Sequence, residues 1–233
     1  MIHILCIETG TTVCSVALGN ENGVLGYKDL NDSKAHATQL SVLIDELMGE
    51  LKFDISQIDA IAVNKGPGSY TGLRIGVSLA KGICYSLGKP LIAIGSLDSM
   101  VQGVANAVEV KDADLLCPMI DARRMEVYSA FFSNKLERIS EVEAVIVDSN
   151  SFRNQLKDQK ILFFGNGASK CKSVISDQKA IFIDNFEPSA CFMLPLAIKA
   201  YRDEIFEDIA YFEPFYLKDF VAIKAQNKVL PKN

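Results

Sequence analysis

The run from Ile58 to Leu87 constrains the fold more than any other part of the chain. Ile58-Asp59-Ala60-Ile61-Ala62-Val63 reads as a buried strand, Asn64 to Gly72 is rich in turn formers, and an apolar pattern at helical spacing runs from Leu73 to Leu87. Strand, glycine-rich turn and helix in succession point to an α/β protein, and in that class such a turn often holds a phosphate. The details here favour another use. Glycines at 66, 68 and 72 place the third one residue late for a dinucleotide fingerprint, Pro67 removes a backbone donor, and no Walker-type Gly-Lys-Ser/Thr follows. Gly72, Gly76 and Ala80 recur every four residues and form a flat stripe that another helix can approach. The segment therefore reads first as a structural and interface element.

The elements around it agree with that class. Ile4-Leu5-Cys6-Ile7 is an apolar strand, Gly10 permits a tight turn, Thr12 to Leu18 alternates as a second strand, and Asn20-Glu21-Asn22-Gly23 leads to a third over Val24 to Leu30. A helix begins at Ser33 as N-cap, with Leu40, Leu43, Ile44, Leu47, Met48 and Leu51 on one face. A strand at Leu91 to Ile94 and a helix capped by Ser96 through Val104 complete a β-β-β-α-β-α-β order. Ala105 to Lys111 is the expected crossing between two domains, 1–104 and 105–233. Strands are expected at Leu115 to Asp121, Glu126 to Phe132, Glu143 to Val147, Ile161 to Phe164 and near Ile181, with helices at Ser151 to Leu156 and Pro188 to Tyr201. Beyond Pro214 the chain is basic and polar, with Lys218, Lys224, Lys228 and Lys232, and is expected to be loosely ordered in part.

Composition excludes several functions. The net charge of −5 and the absence of a long Lys/Arg run disfavour a protein that binds nucleic acid on its own, so any work on RNA is expected to go through a partner. No apolar run approaches membrane-spanning length and the N-terminus lacks a signal-peptide pattern, which makes the cytoplasm the expected location. Six scattered cysteines without a Cys-x-x-Cys pair read as core residues. Histidine occurs only at 3 and 36, which does not suit a metal site or a hydrolytic triad, and His36 reads as an exposed or capping residue. Carboxylates remain. Glu8 reads as a holder of the Gly10 turn through backbone N–H groups, and Asp121-Ala122-Arg123-Arg124-Met125-Glu126 as an ion-paired hairpin turn; both are also acid/base candidates. The apolar face Leu40, Leu43, Ile44, Leu47, Met48 packs on its own sheet or, together with Gly72, Gly76 and Ala80, pairs with a similar surface elsewhere.

Ile4-Leu5-Cys6-Ile7-Glu8-Thr9, Cys14-Ser15-Val16-Ala17-Leu18, Lys65-Gly66-Pro67-Gly68-Ser69-Tyr70-Thr71-Gly72-Leu73-Arg74-Ile75-Gly76 and Asp121-Ala122-Arg123-Arg124-Met125-Glu126-Val127-Tyr128 together resemble the bacterial TsaB (YeaZ) family. Gly165-Asn166-Gly167-Ala168 and Pro214-Phe215-Tyr216-Leu217 extend the likeness over nearly the whole chain. The resemblance implies an actin-like/Hsp70-like ATPase (ASKHA) superfold of two lobes, each on a βββαβα core. It implies a non-catalytic subunit in the formation of threonylcarbamoyladenosine beside the tRNA anticodon. This subunit binds and activates a catalytic paralogue, TsaD, through its N-terminal helices, alongside a TsaE-type ATPase. TsaD carries a helix-borne histidine pair for a metal, which this chain lacks. By the same reading tRNA is met only through the complex, no cofactor is bound, and the partner surface forms a homodimer when the chain is alone. Leu47→Glu or Gly76→Leu is then expected to break the complex and spare the fold. The alternative is a nucleotide-dependent enzyme of the same superfold, an ATPase or small-molecule kinase, with Glu8, Thr9, Gly10 and Thr11 as its phosphate-side residues. Glu8, one methylene longer than the aspartate typical of active members, would crowd a phosphate there.

Overall fold

The computed structural model describes residues 1–32, 36–105 and 108–218. In chain order it contains β1 (Ile4–Glu8), β2 (Val13–Asn20), β3 (Gly23–Asn31), α1 (His36–Leu51), β4 (Ala60–Gly66), α2 (Tyr70–Leu87), β5 (Leu91–Gly95) and α3 (Ser96–Gly103). Then come α4 (Val108–Asp112), β6 (Leu115–Asp121), β7 (Glu126–Ser129), β8 (Phe132–Ser133), β9 (Glu143–Ile146), α5 (Arg153–Leu156), β10 (Ile161–Phe164), α6 (Ala168–Cys171), β11 (Ala180–Phe182) and α7 (Leu194–Arg202).

The first sheet runs β3-β2-β1-β4-β5, with antiparallel pairing from β1 to β3 and parallel pairing from β1 through β4 to β5. The second runs β9-β7-β6-β10-β11 with the same sense at each step, and β8 adds to β6. Each sheet is thus built from antiparallel strands followed by parallel ones, the actin-like arrangement the sequence led us to expect.

The side-chain period of two sorts β1 and β4 onto two cores. Leu5, Ile7, Ile61 and Val63 face α1 and α2, whereas Ile4, Cys6, Ala60 and Ala62 face α7. Both strands are covered on each face, which is why they read as unbroken apolar runs. β3 is the edge, and its alternating exposure and polar residues keep that edge from pairing further. The first sheet's last strand ends at Gly95 and the second sheet's first strand begins at Leu115. By contact, however, residues 190–202 belong with the first sheet, so a C-terminal unit running to residue 233 takes in elements that pack on the first lobe.

Several local readings change. The α2 helix starts at Tyr70, because the Ser69 hydroxyl accepts from the Gly72 N–H at 3.3 Å, and it stops at Gly88, left-handed at φ 62°. Ser96 is the first residue of α3 and not its cap; its hydroxyl donates to Asn64 Oδ1 at 2.7 Å. The strand expected over Glu126 to Phe132 is interrupted at Ala130 and splits into β7 and β8. Phe152, at φ 63°, delays α5 to Arg153. His36 is buried, its Nε2 3.2 Å from the Val13 carbonyl oxygen, and is neither exposed nor a cap. The proposed Ser33 cap and Lys224, Lys228 and Lys232 lie outside the described residues.

The stretch after α7 is anchored as far as Lys218. The Glu207 N–H donates to the Leu91 carbonyl at 2.8 Å, Lys81 Nζ holds the Ala210 and Phe212 carbonyls at 3.2 and 3.1 Å, and the Phe215 N–H donates to the Lys65 carbonyl at 2.7 Å. Ile209 and Phe212 pack against the core beneath α1 and α2. Tyr216 lies on Tyr70 with ring centroids 4.8 Å apart. This strap runs along one flank of α2.

Candidate functional site

The β1–β2 turn is closed. Glu8, at 1% exposure, accepts from the Gly10 N–H at 2.7 Å through Oε1 and from Asn64 Nδ2 through Oε2. Asn64 is itself oriented, since its Oδ1 takes the Gly66 N–H at 2.6 Å and the Ser96 hydroxyl at 2.7 Å. The Val13 N–H donates to Thr11 Oγ1 at 3.2 Å. Burial pushes the Glu8 carboxyl up to about 7, against the opposing pull of the Gly10 and Asn64 hydrogen bonds. The reading of Glu8 as the holder of the Gly10 turn therefore matches the geometry.

The loop from Gly66 to Gly72 sits directly on this turn. The Ser69 N–H donates to the Gly10 carbonyl at 2.7 Å. A Cβ on Gly68 would stand 2.2 Å from Gly10 O, one on Gly72 2.1 Å from Thr9 O, and one on Gly76 2.2 Å from Thr9 Oγ1. Glu8, Thr9, Gly10 and Thr11 are all buried beneath it. In this structure the Glu8 carboxyl takes the Gly10 N–H, and the loop covers the turn that these four residues form.

The residues proposed for the partner interface are placed as follows. Leu40, Leu43, Ile44, Leu47 and Met48 are 1–8% exposed and pack on the first sheet, as does Ala80. Gly72 and Gly76 face Thr9, so their lack of a side chain serves the approach of α2 to its own β1 and not that of a foreign helix. These positions are thus covered by the chain's own sheet and turn, with Ile44 and Met48 also lining the groove described next. Helical periodicity marks the apolar face without saying what covers it.

What lies open is the groove between α1 and α2, about 690 Å³ in volume. Ser41, Asp45 and Gly49 form one wall, Leu79 and Ile83 the other, and only Ile44 and Met48 of the expected set reach its floor. Lys52, Phe53 and Ile55 close one end. Leu79 and Ile83 fall within the apolar pattern of α2, but only their half-burial shows that they straddle core and surface.

The β6–β7 turn is the second lobe's counterpart of β1–β2, and it is open. Arg123 and Arg124, both exposed, are left-handed at φ 70° and 49°. The Ala122 N–H donates to the Glu126 carbonyl at 3.0 Å and the Arg123 N–H to Asp121 Oδ1 at 2.8 Å. The ion pair expected inside the turn is made differently: Asp121 Oδ1 takes Lys170 Nζ at 2.5 Å, and Glu126 takes Lys218.

Among the described residues no group of His, Cys, Asp and Glu is arranged to hold a metal, and no helix is long and apolar enough to cross a membrane.

The chain matches the family model described as TsaD, tRNA N6-adenosine threonylcarbamoyltransferase, over residues 31–226. It is 28% identical to the tRNA threonylcarbamoyladenosine biosynthesis protein TsaB of Haemophilus influenzae, over 96% of each chain. With the protein of that name from Bacillus subtilis it shares 32% identity over 75% of each. The solved structure of YeaZ from Pseudomonas aeruginosa superposes with a TM-score of 0.76 at 25% identity, covering 93% of this chain and 100% of that one. The near full-length matches to TsaB place the chain on that side of the wider family.

Proposed function

The chain belongs to the TsaB (YeaZ) family, whose named members serve tRNA threonylcarbamoyladenosine biosynthesis, and from that premise we propose that it is the non-catalytic subunit that binds and activates the TsaD-type transferase. The observation that carries this reading is the α1–α2 groove: an apolar floor and one apolar wall, open to solvent on a chain whose own cores are otherwise covered. A helix or helix pair of the paralogue laid between α1 and α2 would bury Leu79 and Ile83 and complete the partly covered face.

The closed β1–β2 turn supports a subunit without nucleotide turnover of its own. A carboxyl with both oxygens occupied by the protein, under a loop fitted to the turn's backbone, is a structural device. In the same reading a TsaE-type ATPase joins the assembly, and the free chain covers the groove with a second copy of itself.

The test is light scattering after size exclusion on this chain mixed with the TsaD-type protein of the same organism. A one-to-one species that disappears with Leu79→Glu or Ile83→Glu, both leaving the circular dichroism and melting curve intact, is the expected result. Independent elution of the two wild-type proteins, with and without ATP and the TsaE-type subunit, overturns it.

A further inference from the structure

The turn between β6 and β7 is the other feature that the fold does not explain. Two consecutive residues at positive φ in a hairpin loop are the province of glycine, asparagine and aspartate, yet arginines fill both positions in the Arg123–Met125 loop here. A side chain held in that conformation is strained, and such strain gathers where function requires a particular side chain. Neither guanidinium has a carboxylate partner among the described residues. The two carboxylates that bracket the turn are taken by lysines from elsewhere, Asp121 by Lys170 and Glu126 by Lys218. The tip is left with exposed positive charge in a chain whose net charge is −5.

The surface continues away from the tip with alternating charge and rings. Lys218 Nζ lies 5.8 Å from the centre of the Tyr128 ring while it pairs with Glu126. Two residues earlier in the strap, Tyr216 packs on Tyr70, and Arg74 lies over the Tyr70 ring at 5.3 Å while donating to its hydroxyl at 3.0 Å. Basic groups interleaved with partly exposed aromatic rings suit a polyanion that also offers flat bases. An acidic protein surface would make less use of the rings. Arg74 and the strap occupy one flank of α2, and Leu79 and Ile83 line the groove on the other.

We propose that this band, from Arg123 and Arg124 across the strap to Arg74, contacts the sugar–phosphate backbone of the tRNA within the complex. The inference rests on the proposed pairing with the TsaD-type transferase, because the chain's overall negative charge opposes RNA binding by the isolated subunit.

The experiment measures binding of a fluorescently labelled, unmodified tRNA transcript to the purified complex by anisotropy over a series of salt concentrations. The complex carries either wild-type chain or one of two double variants, Arg123→Glu with Arg124→Glu, and Arg123→Gly with Arg124→Gly. Each phosphate contact contributes roughly 0.7–0.9 to the slope of log affinity against log salt. Both variants are expected to flatten that slope by about 1.5 and to weaken binding roughly tenfold at moderate salt, with complex formation unchanged on size exclusion. The glycine pair is further expected to melt no lower than wild type, so the loss cannot be ascribed to unfolding. Unchanged affinity and slope in the glutamate pair would overturn the inference. So would a folded glutamate pair that no longer binds the transferase, which would make the turn a protein contact. A wild-type chain that forms no complex fails the pairing itself, and this inference with it.

Discussion

The two lobes share one strand order but differ in their first hairpin turn and in the length of their helices. In the first, β1–β2 is buried, its carboxylate folded inward, and the helices that follow are 16 and 18 residues long. In the second, β6–β7 is exposed with two arginines at its tip, and the corresponding helices α5 and α6 have 4 residues each. The turns that dock on these hairpins are alike: Gly66 after β4 and Gly165 after β10 have φ of 105° and 103°, and the Gly167 N–H reaches the Met119 carbonyl at 2.9 Å much as the Ser69 N–H reaches Gly10. The frame therefore fixes the strands and the docking loop, while hairpin tips and helix lengths are free to vary. In this chain the first lobe has become a helical platform, and the second presents its hairpin to solvent.

The difference in fit at the two docking loops can be broken directly. Gly68→Ala and Gly72→Ala each place a methyl about 2 Å from a backbone carbonyl that has no room to retreat, and we expect a loss of 3 kcal/mol or more in urea unfolding, or no folding. Gly167→Ala meets Ile120 C at 2.9 Å and Asp121 N at 3.0 Å, a milder clash, with an expected loss of roughly 1–2 kcal/mol. Equal losses would show that the lobes dock their loops equally tightly.

The next effect concerns the buried carboxyl. Its value of about 7 in the fold, against 4.5 as the ordinary value, means that the folded protein keeps a proton the unfolded chain releases. The resulting stability is full below about pH 4.5 and is lost as the pH rises through 7, by on the order of 3 kcal/mol. Unfolding free energy measured from pH 4.5 to 8 in wild type and Glu8→Gln should show that decline in the first and not in the second.

Smaller still is the platform's own signature. Leu79→Glu should weaken binding of the TsaD-type protein about 30-fold or more in titration calorimetry while leaving the melting temperature within a degree or two. Least in size, Arg124→Gly alone should raise stability by about 1 kcal/mol or less, since glycine takes the left-handed conformation without strain but loses more chain entropy on folding.

Much of this contrast was legible in the residues. The strand order, the buried strand before Gly66, the Gly10 turn and the role of Glu8 all followed from apolar runs and turn formers. The open groove between α1 and α2 did not. Leu47 and Gly76 look like partner-facing residues because an apolar stripe and a small-residue stripe are the same pattern whether a sheet or another protein covers them. Leu47→Glu and Gly76→Leu are now expected to unfold the lobe, the first by burying a charge and the second by driving a side chain into Thr9. The pairing of Asp121 with Lys170 spans 49 positions and left no local mark. The strap was hidden for a different reason. The strap's own contribution to its anchors is backbone N–H and C=O groups, which any sequence supplies, and its local signal is the aromatic cluster Phe212, Phe215 and Tyr216.

That strap has a consequence for how the protein is made. Residues 190–202 cover one face of the first sheet and residues 207–216 seal the flank of α2, yet all of them are synthesised after the second lobe. The earliest lobe to leave the ribosome is thus the last to be finished, and until then it carries Ile4, Cys6, Ala60 and Ala62 on a naked sheet face. A stop or frameshift past residue 187 would strike the lobe that begins at residue 4, and would leave the neighbouring one with its strands intact.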